Sequence, residues 1–461
     1  MQSVQTGYKS RRKLNRLSAG LLTAAFAVGA TGCDSLLDVE NPNNVVQSDL
    51  ENAEAVSALV NGALQLTSEA VGDAAVSTTA LSDELTHTGS QNWAAELDRG
   101  IITTPSGRSD ALTDVFAEAT WTAEEALRLA VEFGADDEQV MRANMYSGIM
   151  HMTIADNMED FAFSDRIEVG PPVGEDNMQS VYDTAIDRLE SALALASGSD
   201  ATTIRALLAR AHWGRAMWPK MQGDPTADPL VNDATANGYA QDVIDAIGVD
   251  EDWAYRFRFQ SSTSESPQGS WVNSRQEFVP ADEYVVISGS GKSVAQDEDD
   301  ADGDGDTDEA AISLLDPIDD MPDQALQARI TEFVDAFLYP EVDVVTAREL
   351  HLILAEAAIA DGEDDIAETH LNHVRAMKNP DHPHDEYDVD NPLHPEPLEV
   401  LQHERRVNLY NMVTRRLWDM YRFGVTAPRW SSTSDAVTNP GQVFVIGQGE
   451  RVSNCFILGT C

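Results

Sequence analysis

The sequence predicts a mainly α-helical protein, built from tetratricopeptide-like helical hairpins and interrupted by an irregular insert with short β-strands. Three observations lead to this prediction: a helix–turn–helix pattern over Arg348–Ala376, helical periodicity through most of the first half of the chain, and alternating residues over Trp253–Phe259. A helical hairpin cannot bury its apolar stripe alone, so the fold requires several helices packed side by side.

The hairpin Arg348–Ala376 is defined by an apolar stripe and a turn. The stripe follows the spacing i, i+3, i+4, i+7 and i+8 with Leu350, Ile353, Leu354, Ala357 and Ala358. Asp361-Gly362 is expected to end the first helix, because glycine readily adopts the left-handed conformation at a helix C-terminus. Asp365 with Glu368 resembles a capping box at the start of the second helix.

Amphipathic periodicity predicts further helices before this hairpin. They are expected at approximately Asp49–Val71, Asp110–Phe133, Asp137–Asn157, Met178–Ala196, Ala201–Met217 and Ala240–Ile247. Leu81–Gly107 is predicted to be a polar loop, and Trp253–Phe259 and Ser270–Ile287 are strand-like. After the hairpin, Leu398–Gly424 is predicted to be one helix.

The chain is strongly acidic. Its 79 Asp and Glu residues against 30 Lys and Arg residues give a net charge of −49. Such self-repulsion opposes folding unless salt screens it, since the Debye length falls to ~3 Å at 1 M salt. The acidic residues are spread over the whole chain, which favours surface solvation and a salt-loving source over a local acidic binding face. The charge argues against nucleic acid as a partner.

Residues 1–33 have the order of a lipoprotein signal peptide. A basic region is followed by the apolar run Leu17–Ala30, which is too short to span a bilayer. The next residues, Ala-Thr-Gly-Cys at 30–33, resemble a lipobox, so cleavage after residue 32 would leave Cys33 to carry the lipid anchor. An ordinary secretory peptide with a chance cysteine is the alternative.

The cysteines remaining after Cys33 are Cys455 and Cys461, six residues apart. In an oxidising compartment such a pair can close a small disulfide loop, while two reduced, buried thiols are the alternative.

The acidic segment 297–309 is a candidate calcium-binding site. Its alternating carboxylates and glycines resemble part of a calcium-binding loop, with candidate ligands Asp300, Asp302, Asp304, Asp306 and Asp308. Ala311 stands where such a loop ends in a bidentate Glu, so a solvated loop without bound calcium remains open. The nearby histidines His382, His384 and His394 lie among prolines without regular ligand spacing, and no site is predicted there.

Two helical segments carry a family resemblance. In the hairpin, an Arg leads into L-x-L-I-L-A-E-A and then A-x-x-x-L-N-x-V-R-A, with the matching residues Arg348, Leu352, Leu354, Ala355, Glu356, Ala357, Leu371, Asn372, Val374, Arg375 and Ala376. In the later helix, an E-R-R pattern matches at Glu404, Arg405, Arg406, Leu409, Arg416, Asp419, Arg422 and Gly424. With the Leu-Leu-Asp tether after Cys33, these motifs resemble the SusD/RagB family; Asn408 departs from its usual Glu.

The resemblance implies a nutrient-binding lipoprotein on the outer membrane, facing the cell exterior. Residues 33–461 would form one SusD-like domain, with a helical part at about 45–250, the strand-containing insert at about 251–315 and a second helical part at about 316–461. Such a protein captures a glycan, oligosaccharide or peptide and passes it to a SusC-like TonB-dependent transporter. A helical-repeat lipoprotein that scaffolds other envelope proteins is the alternative.

Sugar recognition uses flat aromatic faces with amide and carboxylate groups nearby. The candidate platforms outside predicted helices are Trp93, Trp271, Tyr284 and Trp430, whereas the helical Trp121, Trp213, Trp218 and Trp418 are expected in the core.

Glu404 and its neighbouring arginines are interpreted as a buried ion-pair network. No nucleophile elbow, zinc-protease motif or phosphate loop is found, so neither catalysis nor a required cofactor is predicted. A polysaccharide-degrading enzyme remains a third hypothesis.

Overall fold

The computed structural model describes residues 52–105, 107–164, 169–249, 251–286, 312–377 and 385–461. The predicted signal peptide with Cys33, the acidic loop Asp300–Asp308, and the pair His382 and His384 lie outside the described residues. None of the helices in the described segments has the length and apolarity that a membrane span requires.

Helices account for most of the described chain, as predicted. They are α1 (Val56–Leu81), α2 (Asn92–Asp98), α3 (Arg108–Glu132), α4 (Asp137–Asn157), α5 (Gln179–Leu193), α6 (Gly198–Met221), α7 (Ala234–Ile247), α8 (Gln324–Asp335), α9 (Ala347–Asp361), α10 (Asp364–Ala376), α11 (Pro397–Asn408), α12 (Arg415–Arg422), α13 (Asp435–Thr438), α14 (Gln448–Ser453) and α15 (Cys455–Leu458). The strands are β1 (Leu85–His87), β2 (Ala254–Phe257), β3 (Phe278–Pro280) and β4 (Val342–Thr346).

The long helices stack side by side in chain order. α1 packs on α3, and α3 to α6 each pack on the next helix along the chain. α9 then packs against α7 and α10, and α11 lies against both α9 and α10. Most of the long helices therefore bury their apolar stripes against helices that are close in sequence, which confirms the predicted fold of stacked hairpins.

The α9–α10 hairpin has the predicted turn but a different cap. Gly362 has a φ of 72° and ends α9 in the left-handed conformation. α10 begins at Asp364, its N-cap is Glu363, and no side chain caps it, so the predicted capping box is wrong. The Glu368 carboxylate instead accepts a hydrogen bond from the backbone N–H of Val389 at 2.9 Å, because the segment before α11 lies across this helix.

The predicted helix over Leu398–Gly424 is broken into α11 and α12. Between them, Asn411 and Thr414 have φ values of 63° and 64°. Both backbone N–H groups donate to side chains near the end of α1: Asn411 to Glu84 Oε1 at 2.7 Å, and Thr414 to Thr78 Oγ1 at 2.9 Å. These long-range bonds replace helical bonds, so the break depends on the tertiary fold.

Two short antiparallel sheets join distant segments. β1 pairs with β3, with Leu85 opposite Pro280 and His87 opposite Phe278. β2 pairs with β4, which confirms strand character within Trp253–Phe259. The other two predictions for irregular segments are partly wrong: Leu81–Gly107 also holds β1 and α2, and Ser270–Ile287 contains β3 after a π-helical turn over Gly269–Ser274.

The predicted buried ion-pair network is confirmed. Arg375 contacts Glu404 at 2.7 Å and Asp316 at 2.8 Å. Arg405 contacts Asp419 at 2.9 Å, and Arg422 on α12 bridges Asp419 to Glu356 on α9. All of these side chains are almost inaccessible to solvent. Charges of both signs are therefore paired inside the core, where an unpaired charge would be strongly unfavourable.

Cys455 and Cys461 are joined by a disulfide, with their Cα atoms 5.0 Å apart. The bond closes a loop that contains α15 and the residues that follow it.

Candidate functional site

Two of the four candidate platforms lie in contact. The ring centroids of Trp93 and Trp271 are 5.0 Å apart, and the rings are perpendicular. Trp93 lies in the first turn of α2 and Trp271 in the π-helical turn, and both side chains are half-buried. The fold thus builds one aromatic cluster from segments far apart in sequence. We call Trp93 and Trp271 the aromatic platform; the buried Phe278 packs against it.

The β1–β3 pairing brings the two halves of the platform together. β3 begins at Phe278, whose ring lies 5.6 Å from that of Trp93. Just before it, Glu277 donates its backbone N–H to the Trp271 carbonyl at 3.1 Å and accepts at its own carbonyl from Thr88 at 3.0 Å. Gly89 is required here, because a Cβ at this position would lie 2.7 Å from the Cα of Glu277.

The Glu277 side chain fastens the loop that leads into α2. Its Oε2 accepts the backbone N–H of Ser90 at 2.7 Å and that of Gln91 at 3.0 Å. Burial works against ionisation of this carboxyl, but the hydrogen bonds from Gln91 and Ser90 outweigh it, so the pKa of Glu277 lies below its ordinary value. Glu277 is therefore ionised at neutral pH and orients the segment that carries Trp93.

Two arginines stack on the platform rings. The Arg108 guanidinium lies 5.0 Å from the ring centroid of Trp93 and is buried, donating to Ser77 Oγ at 2.6 Å. The exposed Arg275 lies 4.4 Å from the centroid of Trp271. Arg108 thus contacts the platform as a buried residue, while the exposed Arg275 lies beside Trp271, where its guanidinium can donate hydrogen bonds to a ligand.

Polar groups surround the aromatic surface. Ser90, Gln91 and Asn92 are exposed on the loop that enters α2, and Ser274 is exposed beside Arg275. Flat rings with amide, hydroxyl and guanidinium groups at their edge are the surface that a polyhydroxylated ligand requires.

The prediction that Tyr284 and Trp430 are ligand platforms is wrong, because both rings are buried. Tyr284 is fully buried, and its hydroxyl donates to Asp83 Oδ1 at 2.8 Å. Trp430 is 8% exposed, and its Nε1–H donates to the carbonyl of Leu81 at 2.8 Å. Each polar tip is satisfied inside the protein, so these rings cannot present a face to a ligand.

The helical tryptophans divide into two groups. Trp213 and Trp418 are buried, which confirms their predicted core positions. Trp121 and Trp218 are half-buried, so the prediction is only partly right for them.

The sequence analysis did not identify Phe278, Glu277 and Arg275 as site residues. Their position directly after Trp271 was a signal that the whole segment contributes to the platform.

A second concave surface lies on α1, α4 and β2. It is a groove of about 560 Å³ whose lining includes Met141, Met145, Tyr146, Tyr255 and Phe257. Arg142 and Arg258 also line it. Met141, Met145, Tyr146 and Phe257 are buried, so little of this apolar lining is open to solvent.

The sequence matches no family model, and a search of curated proteins found no match. Solved structures do match in fold. A SusD superfamily protein from Parabacteroides distasonis has a TM-score of 0.61 at 13% identity, covering 90% of this chain and 98% of that chain. One from Bacteroides fragilis has a TM-score of 0.58 at 12% identity, covering 88% and 99%. A SusD-like carbohydrate binding protein from Bacteroides vulgatus has a TM-score of 0.52 at 14% identity, covering 82% and 84%. The fold of this chain is therefore that of the SusD superfamily.

Proposed function

We propose that this protein captures a glycan or oligosaccharide at the aromatic platform. The observation that carries the proposal is the contact between Trp93 and Trp271, two half-buried rings that the fold brings together beside exposed polar side chains. The C–H faces of sugar rings pack on indole rings, and the surrounding amide and hydroxyl groups can bond the sugar hydroxyls. A carbohydrate binding protein with the same fold supports this ligand class.

In the wider proposal, the protein delivers its ligand without breaking a bond. Cleavage after residue 32 would leave Cys33 lipidated and anchor the protein at the outer membrane, facing the cell exterior. There it would raise the local ligand concentration for a SusC-like TonB-dependent transporter. Co-purification of a large β-barrel with the native lipoprotein supports delivery, whereas other envelope proteins in its place would favour a scaffold.

Replacing Trp271 with Ala is expected to weaken glycan binding roughly thirtyfold, the loss typical of a buried aromatic contact of about 2 kcal/mol. Binding is measured by calorimetry with a panel of oligosaccharides. Trp93→Ala is expected to act in the same direction, because Trp93 supports the ring of Trp271.

Trp121→Ala is the matched control, since it removes another half-buried tryptophan, which lies about 20 Å along α3 from Arg108, the residue of that helix that contacts the platform. It should leave binding unchanged. Equal affinities of Trp271→Ala and wild type for every sugar that the wild type binds would contradict a ligand site at the platform. Turnover of a bound polysaccharide that a single Asp or Glu substitution abolishes would instead indicate an enzyme.

A further inference from the structure

Three histidines meet where α7, α9 and α10 come together. His351 lies on α9, and His370 and His373 lie three residues apart on α10. The ring centroid of His351 is 5.3 Å from that of His370 and 5.1 Å from that of His373. His351 is buried, whereas His370 and His373 are half-buried, so the cluster is accessible from one side.

The orientation of His351 fixes which of its nitrogens carries a lone pair. Its Nε2 lies 3.0 Å from the backbone carbonyl of Val249, just after α7. A carbonyl can only accept a hydrogen bond, so Nε2 carries the proton and Nδ1 of the neutral ring is an acceptor. That Nδ1 faces His370 Nδ1 at 3.0 Å. A ring N–H donated to a backbone carbonyl is the arrangement that commonly orients metal-binding histidines.

The distances suit an ion held between the rings. Two nitrogens that each lie 2.0–2.1 Å from a tetrahedral ion are about 3.3 Å apart, and the centres of their rings are about 5.2 Å apart. The measured nitrogen separation of 3.0 Å is close to the first value, and the ring separations of 5.3 and 5.1 Å bracket the second.

We propose that His351, His370 and His373 form a binding site for a divalent transition-metal ion such as Zn²⁺. His351 Nδ1 and His370 Nδ1 are the first two ligands, and a rotation of the half-buried His373 side chain supplies the third. On binding, His370 moves its proton from Nδ1 to Nε2, so the ion takes the place of that proton without changing the net charge of the ring. Imidazole nitrogens prefer zinc, cobalt, nickel and copper over calcium and magnesium.

A bound ion would link α9 to α10 and hold both against the end of α7.

Cobalt titration of the full-length protein tests the site. The protein is first stripped with a chelator, and Co²⁺ is added in high salt with excess Ca²⁺, which occupies exposed carboxylates of this acidic chain. A visible absorption band of tetrahedral, nitrogen-coordinated Co²⁺ is expected at one equivalent, and Zn²⁺ should displace it. His370→Ala and His373→Ala should each weaken binding by at least about tenfold, since even indirect partners of metal ligands contribute that much.

His212→Gln is the control, because His212 is a half-buried histidine on α6 that stacks on Tyr239 away from the cluster. It should bind Co²⁺ as the wild type does. The absence of the band in correctly folded wild-type protein would overturn the proposal, as would an equal effect of His370→Ala and His212→Gln. Circular dichroism of each variant confirms that the fold is intact. This outcome is independent of whether the aromatic platform binds glycans.

Discussion

Replacing Glu356 with Gln is expected to lower the free energy of unfolding by about 3–5 kcal/mol, the usual cost of leaving a buried charge without its partner. Glu356 lies on α9 and is fully buried. Its Oε1 contacts Arg422 and accepts the backbone N–H of Val231 at 2.8 Å, and its Oε2 lies 3.6 Å from Arg405. Gln preserves the shape and an acceptor for Val231 but removes the negative charge that balances two buried arginines.

Urea unfolding in concentrated salt measures this loss, with the wild type beside the variant. Glu132→Gln is the matched control: Glu132 pairs with Arg128 one turn away on α3, and both side chains are about half exposed. An exposed pair of this kind contributes only about 0.3–0.5 kcal/mol. Similar midpoints for Glu356→Gln and Glu132→Gln would show that the core network does not stabilise the fold as argued.

Glu84 is expected to make the protein less stable as the pH rises from 4.5 to about 8. Its carboxyl is almost completely buried, and burial, with the adjacent Asp83, raises its pKa from 4.5 to about 8. Between these values the folded state keeps a proton that the unfolded state has lost. Raising the pH therefore favours unfolding, by up to about 1.4 kcal/mol per pH unit.

Glu84→Gln removes this dependence, because Gln resembles the protonated acid and cannot ionise. Unfolding free energies of the wild type and the variant are compared at several pH values between 4.5 and 8. The variant should gain stability relative to the wild type as the pH rises, by several kcal/mol in total. Comparing the two proteins cancels the contributions of other titrating groups. Parallel curves would show that Glu84 ionises normally in the folded protein.

The adjacent Asp83 behaves in the opposite way. Burial alone would raise its pKa, but the Arg416 guanidinium, 2.6 Å away, and the hydrogen bond from Tyr284 lower the pKa of Asp83 to about 2. Two neighbouring carboxyls are thus held in different charge states by their partners.

The helices could be predicted from sequence wherever local periodicity determines them. The bounds of α4, Asp137–Asn157, agree with the prediction, since Asp136 caps its start and apolar residues recur along it. The break between α11 and α12 could not be predicted, because the side chains that replace its helical bonds, Glu84 and Thr78, lie more than three hundred residues earlier in the chain.

The candidate site shows the same limit. Trp93 and Trp271 were predicted as platforms because they are aromatic residues outside the predicted helices. The same criterion also predicted Tyr284 and Trp430. What separates the two pairs is tertiary structure. Asp83 and the Leu81 carbonyl satisfy the polar tips of Tyr284 and Trp430 in the interior, while a strand pairing only three residues long brings Trp93 beside Trp271.

The right angle between the Trp93 and Trp271 rings limits the shape of any chain that lies on both. A flat, ribbon-like polysaccharide can lie along one indole plane but leaves the other uncovered. A polymer that coils, or that branches, changes direction within a few sugar units and can follow both planes. For the proposed glycan site, we therefore expect selection by the curvature of the ligand rather than by the identity of a single sugar.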